Sequence, residues 1–165
     1  MRYLFMVMLL GVLGCLRFTA DTVPVDSMKF TKAVSASTDE FSVVEYIAAT
    51  DGDTFTVNLP NARSDVFGKR VPVRIRHIDT AEMRGNGNCE KTMAQKAKAL
   101  TDSILSSAKK IDLENPGRDK YWRILADVRT DGVLVSDVLL SRHLAVPYEG
   151  ETKVKVNWCQ MAKIK

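Results

Sequence analysis

Hydrophobic and polar residues change period several times along this chain, and each change predicts an element. From Phe41 onward Val43, Val44, Tyr46 and Ile47 read as a strand, and Phe55, Val57 and Leu59 alternate as a second. Between them, Thr50-Asp51-Gly52-Asp53 is a tight hairpin signal, because Asp-Gly supplies the positive φ such turns need. Residues 58–69, with Pro60 and Gly68, read as a loop or a long hairpin. Val71, Val73 and Ile75 alternate as a third strand with Arg74 and Arg76 on the opposite face. That pattern breaks at His77-Ile78, which predicts a bend or a bulge. Residues 79–88 read as an irregular loop containing Gly85 and Gly87. Met93, Ala97, Leu100, Ile104 and Ala108 then recur at helical spacing, with Lys91, Lys96 and Lys98 facing elsewhere. Ile111 and Leu113 mark a short fourth strand, Asn115-Pro116-Gly117 a turn, and Ile124, Ala126 and Val128 a fifth strand. After the Asp131-Gly132 turn, Val135, Val138 and Leu139 start a second helix reaching about His143, and the last stretch reads as irregular and basic.

Three strands, a helix, two strands and a helix suit a mainly-β, α+β fold. The pattern fits a five-stranded barrel of the oligonucleotide/oligosaccharide-binding (OB) type, with a helix plugging one end. The 165 residues, 45% apolar and 27% charged, amount to one domain and exclude wholesale disorder. No second long apolar run follows the first, which excludes a polytopic membrane protein.

That first run lies in residues 1–20. Arg2 precedes an uncharged, largely apolar stretch over 3–16, the pattern of a secretory signal and short of a spanning helix. An uncleaved anchor is the alternative. Val12-Leu13-Gly14-Cys15 also resembles a lipoprotein processing site, which would leave Cys15 lipidated. The expected location is secreted or periplasmic, with any membrane attachment through this segment alone. Residues 21–40 are polar and without period and read as a linker, leaving 41–165 as the working domain. The net charge is +4, and Arg2 and Arg17 supply two of those charges, so the excess permits a polyanionic partner without arguing for one. Cys89 and Cys159 remain as an even pair, which in an oxidising compartment favours a bridge over two free thiols.

Charged residues cluster at the predicted strand ends: Asp53 after the first turn, Arg74 in the third strand, Asp79, Thr80 and Glu82 beyond it, and Arg123 opening the fifth strand. Carboxylates near a bend can hold a hard cation through oxygen, and two guanidinium groups can grip a phosphate. A metal, a carboxylate that activates water and two arginines form a set suited to phosphodiester hydrolysis. Each element alone has an ordinary reading. Asp51-Gly52-Asp53-Thr54 is a common turn, Arg74 a solvated strand face, Asp79 and Glu82 helix caps, and Arg123 a partner for Asp119.

Three blocks in order carry more: Ala49-Thr50-Asp51-Gly52-Asp53-Thr54, Arg74-Ile75-Arg76-His77-Ile78-Asp79-Thr80-Ala81-Glu82, and Asp119-Lys120-Tyr121-Trp122-Arg123. With them the chain resembles the staphylococcal nuclease (thermonuclease) family, whose patterns are D-G-D-T, R-x-x-x-x-D-T-P-E and D-K-Y-x-R. The resemblance implies an OB-fold barrel and a calcium-dependent phosphodiesterase acting on DNA and RNA. It implies that Asp53, Asp79 and the Thr80 carbonyl bind Ca2+ and that Glu82 directs the attacking water. Arg74 and Arg123 grip the phosphate, Lys120 and Tyr121 lie beside the terminal phosphate and sugar, and 3′-phosphate ends result. Ala81 replaces the family's Pro, and the end of the chain is short, where a Cys89–Cys159 bridge would fasten it. Tyr148 is a candidate for stacking on a base. The competing expectations are a nucleic-acid-binding OB module without catalysis and an envelope lipoprotein with a structural role. No protein partner is implied, and a monomer is the expectation.

Overall fold

A curled sheet and one long helix carry the fold, and the order of the strands explains how distant sequence blocks meet. The structure is a computed structural model that describes residues 41–163 apart from 43, 61, 86 and 154. The segment over 1–20 and the linker over 21–40 therefore lie outside the described residues, as does Val43 of the first strand pattern.

The first strand pattern divides into β1 (Phe41–Ser42) and β2 (Glu45–Ala49). β2, β3 (Thr54–Asn58) and β4 (Val71–Ile75) form an antiparallel meander, with Tyr46 opposite Val57 and Phe55 opposite Val73. The connection over 58–69, read as a loop, contains the short helix α1 (Asp65–Gly68). β6 (Ile111–Arg118) and β7 (Ile124–Thr130) pair antiparallel, and β7 runs parallel to β4, with Val73 opposite Ile124. The short β8 (Val133–Leu134) extends β7 through a turn with positive φ at both Asp131 and Gly132. The sheet order is β1-β6-β7-β4-β3-β2. Its two edge strands are consecutive in the chain, so the sheet curls round on itself as a five-stranded OB-type barrel. Phe55, Val57, Val73, Ile75, Leu113, Ala126 and Val128 are all buried in one cluster. Their period-2 spacing in sequence becomes one shared interior face.

Two turn readings are corrected. Asn115-Pro116-Gly117 is not the end of a strand: β6 continues through it with a bulge between Glu114 and Gly117, and Asn115 takes φ +48°. The long partner strand β7 keeps the ladder going on both sides, so the turn residues become an insertion. Gly52 does not take positive φ. A Cβ there would lie 2.5 Å from Ala97 Cβ and 2.9 Å from Thr80 Oγ1, so glycine is required by close approach instead.

The helix α2 (Asn88–Ser107) buries Met93, Ala94, Ala97, Thr101 and Leu105 on one stripe and packs on β2. Its N-cap is Gly87 and its cap makes no side-chain bond, so Asp79 and Glu82 are not helix caps. Beyond α3 (Val135–Ser141), β9 (Ala145–Pro147) pairs antiparallel with β5 (Ile78–Thr80). The final segment, read as irregular, forms the short helix α4 (Trp158–Met161). Trp158 packs with Ala81, Met93 and Ala94, and Cys159 is bonded to Cys89 across a separation of 70 residues. Among the described residues no helix is long and apolar enough to cross a membrane.

Closing a loop of that length restricts the unfolded chain by about 4 kcal/mol in the entropy model. Cys159→Ser is expected to lower the stability in urea by about 2–4 kcal/mol, and reductant is expected to do the same to the parent protein. A midpoint insensitive to reductant would show that the bridge contributes nothing.

Candidate active site

The site is built on the β4–β5 bend. β4 ends at Ile75, His77 takes φ +65°, and the chain restarts as β5 with Ile78, Asp79 and Thr80 all buried. β3 and β4 place Thr54 opposite Arg74, so Asp53 stands immediately before that pair. Arg74 is therefore a buried side chain, not a solvated strand face.

Asp53 is 6% exposed, and burial of a carboxylate requires donors. It has four. Arg74 Nη2 lies 3.0 Å from Oδ2, the Thr80 N–H and Oγ1 donate to Oδ2 at 3.0 and 3.1 Å, and Thr54 Oγ1 donates to Oδ1 at 3.0 Å. Arg74 Nη2 also reaches Asp79 Oδ1 at 3.2 Å. The guanidinium is itself fixed from behind, donating to the carbonyls of Ile75 and Ile78 at 2.8 Å each. Asp53 and Asp79 thus turn one oxygen each toward a single cationic nitrogen.

The second arginine joins through a hydroxyl. Arg123 Nη1 donates to Thr54 Oγ1 at 3.1 Å, while its Nε and Nη2 each lie 2.7 Å from Asp119 Oδ2. The Asp119 pairing is real, and it orients Arg123 toward Asp53 as well. Lys120 and Tyr121 stand at the adjoining hairpin tip, with the Tyr121 ring exposed, 5.5 Å from the Arg123 guanidinium carbon and 5.2 Å from Lys120 Nζ. Glu82 lies just past β5 and is exposed. Its partner is Lys153, whose Nζ sits 2.7 Å from Glu82 Oε1 and 2.9 Å from Asp79 Oδ1.

Lys153 reads in sequence as one of a solvated basic tail with Lys155, Lys163 and Lys165. No local signal marks it, because over seventy residues separate it from Asp79 and Glu82. The β5–β9 pairing brings its segment to the site. Thr54 likewise has no role of its own in the sequence, where it only closes the D-G-D-T block. Tyr148, the stacking candidate, is half-buried and donates its hydroxyl to the Glu151 carbonyl at 2.8 Å. Cys89 and Cys159 lie with Trp158, fastening the tail rather than joining the charged cluster.

Among the described residues no group of three His, Cys, Asp or Glu side chains forms a ready metal cage. The donor chemistry nonetheless fits a hard divalent cation, which accepts backbone oxygens and waters beside two carboxylates. Asp53 and Asp79 converge on one positive group, and burial pushes Asp53 up to about 6 despite Arg74, with Asp51 adding repulsion. Burial pushes Asp79 up as well, against the pull of Lys153.

A carboxyl with a raised folded pKa holds its proton more tightly folded than unfolded. Its stabilising protonation is absent near neutrality and gained as pH falls through about 6 toward the ordinary carboxylate range. In chelator, the stability is therefore expected to rise from pH 7 to pH 5 by about 1–3 kcal/mol, since a tenfold gain in proton affinity on folding is worth about 1.4 kcal/mol. Asp53→Asn should flatten the rise. A melting temperature that drops steadily over that interval would contradict the burial argument.

Residues 72–163 match the family model described as staphylococcal nuclease homologue, a stretch that holds Arg74, Asp79, Thr80, Glu82, Lys120, Tyr121 and Arg123. Asp53 precedes the matched stretch, and the β3–β4 register brings it in. Over 111 residues the chain is 35% identical to endonuclease YncB of Bacillus subtilis (strain 168), and as similar to the SPbeta prophage-derived endonuclease YokF of the same organism. Each match takes in 64% of this chain, but 49% of the first relative and 35% of the second, so the chain spans about half the length of one and about a third of the other. With the match covering more than half of its length and the barrel holding the matched residues together, the chain belongs to the staphylococcal nuclease family.

Proposed function

We propose that this protein is a secreted, calcium-dependent phosphodiesterase that acts as a monomer and cleaves DNA and RNA with little sequence specificity, leaving 3′-phosphate ends. One observation carries the reading: two buried carboxylates share a point between two anchored arginines. Binding nucleic acid alone needs no such acidic centre, which would repel phosphate. The endonuclease names of the two relatives and the apolar start of the sequence support the reading.

Asp53, Asp79 and the backbone of Thr80 would hold calcium, which when bound supplies positive charge to a phosphate oxygen and to the attacking water. Arg74 and Arg123 bind the remaining phosphate oxygens and stabilise the charge that develops as water attacks phosphorus in line. Glu82 takes or directs the proton of that water. The new P–O bond forms as the bond to the 5′-oxygen breaks, and that oxygen leaves with a proton. The grip falls on phosphate rather than on base edges, so sequence selectivity is low. An open strand suits a barrel surface better than a duplex.

The test is release of acid-soluble nucleotides from denatured DNA in calcium, in magnesium and in chelator. Activity is expected to require calcium and to fall by about 10²–10⁴ in Glu82→Gln. Equal inactivity of both proteins, with DNA binding retained, would establish a binding module instead. Lys153 offers a second test. Burial works against its charge, but the bonds to Glu82 and Asp79 outweigh it, so its pKa is raised and the ammonium is retained. As a resident cation it competes for both oxygens, and Lys153→Met is expected to bind calcium severalfold more tightly in calorimetry. Weaker binding would mean that Lys153 instead holds the carboxylates in place.

A further inference from the structure

The β6–β7 hairpin closes with a geometry that asks for glycine and receives tryptophan. The Trp122 N–H donates to the Asp119 carbonyl at 3.1 Å, and the Asp119 N–H donates to the Arg123 carbonyl at 3.2 Å. That is a turn over 119–122 whose last residue lies in the left-handed region, Trp122 at φ +65°. Hairpins of this build place Gly at that position, because a side chain there meets its own backbone. Trp122 also recovers little by packing: it is 77% exposed. The turn holds it there nonetheless. Asp119 Oδ1 accepts from the N–H groups of Tyr121 and Arg123 at 2.8 and 3.0 Å, and Arg118 Nη1 donates to the Trp122 carbonyl at 3.0 Å. The Arg118 guanidinium lies 5.8 Å from the indole centre, leaving most of the ring open to solvent.

A strained, exposed indole beside a cation, one residue before Arg123, has the makings of a stacking platform. Bases offer a π-face whatever their identity, and the backbone that carries them is anionic, so indole and arginine together suit an unpaired nucleotide. We propose that Trp122, backed by Arg118, is a base-stacking subsite for the nucleotide next to the phosphate gripped by Arg123, and that it confers a preference for unpaired over duplex strands. This rests on the reading of the site as one for nucleic acid. A paired base is already stacked in its helix and gains little from the indole. An unpaired base gains a face, and each such stack is worth a large part of single-strand affinity.

The variants separate binding from folding because glycine suits the turn better than the parent residue. Trp122→Gly is expected to melt at the same temperature as the parent or higher. Its affinity for a short fluorescein-labelled thymidylate single strand, read by anisotropy in chelator so that no hydrolysis occurs, is expected to fall by about 5-fold to 100-fold. Affinity for the same sequence in duplex form should change far less, and Trp122→Phe should retain most of the single-strand affinity. Tryptophan emission gives an independent reading, since the other tryptophan, Trp158, is 7% exposed and packed against Ala81, Met93 and Ala94. Single strand should shift the parent emission, and the shift should vanish in Trp122→Phe. If the parent binds and cleaves single strands while Trp122→Gly binds them equally well, the subsite is refuted and the nuclease reading stands. If the parent neither binds nor cleaves any nucleic acid, the nuclease reading falls and takes the subsite with it.

Discussion

Asp53 against Arg74 is the contact on which the rest of the site depends. Taking both charges out of water is costly, and a buried ion pair repays that cost only when its other donors and acceptors are satisfied. Here they come from four places: the Thr54 hydroxyl at the start of β3, the Ile75 carbonyl at the end of β4, the Ile78 carbonyl at the start of β5 and the Thr80 hydroxyl. Each of these must be in register for the pair to be tolerated, so the pair and the barrel specify one another. The compensation is incomplete, as the raised pKa of Asp53 shows. A charged centre buried with incomplete compensation costs stability, and this is where the fold gives it up.

The β4–β5 bend is held from both sides. Arg76 Nη2 donates to the Asn115 carbonyl at 2.7 Å and to that of Leu125 at 3.0 Å, so the bulge in β6 is the acceptor that anchors the strand just before the bend. His77, at the bend itself, has Nδ1 2.8 Å from Glu149 Oε2, and its carbonyl accepts from the Tyr148 N–H at 3.0 Å. A positive φ at a bulky residue is strained, and it persists because neighbours over-determine it. The consequence is that Asp79 and Thr80 leave the β4 ladder and pair with β9, which turns them toward Asp53.

The end of the chain takes part in the same design. The Cys89–Cys159 bond and the buried Trp158 tie the final segment to the start of α2. The β5–β9 pairing ties the preceding segment to the bend. Between these two attachments lies Lys153, on the oxygens of Asp79 and Glu82. The segment is thereby attached to the site at Lys153 and to the fold on either side of it.

The five barrel strands and α2 were legible in the sequence because period-2 and helical spacing are written locally, residue by residue. So were Asp53, Arg74, Asp79, Thr80, Glu82 and Arg123, since each stands at a fixed offset within a short block. Tertiary structure alone decided the rest. Gly52 reads as a turn glycine, yet its small size serves the approach of Ala97 and Thr80, a packing fact with no local trace. Asn115-Pro116-Gly117 carries turn chemistry, but the length of β7 made it a bulge. β9, α4 and Lys153 have too few residues to show a period, and partners more than sixty residues away fix them. Local pattern sets which way a side chain points along its own segment; which distant segment it then meets is settled only when the barrel closes.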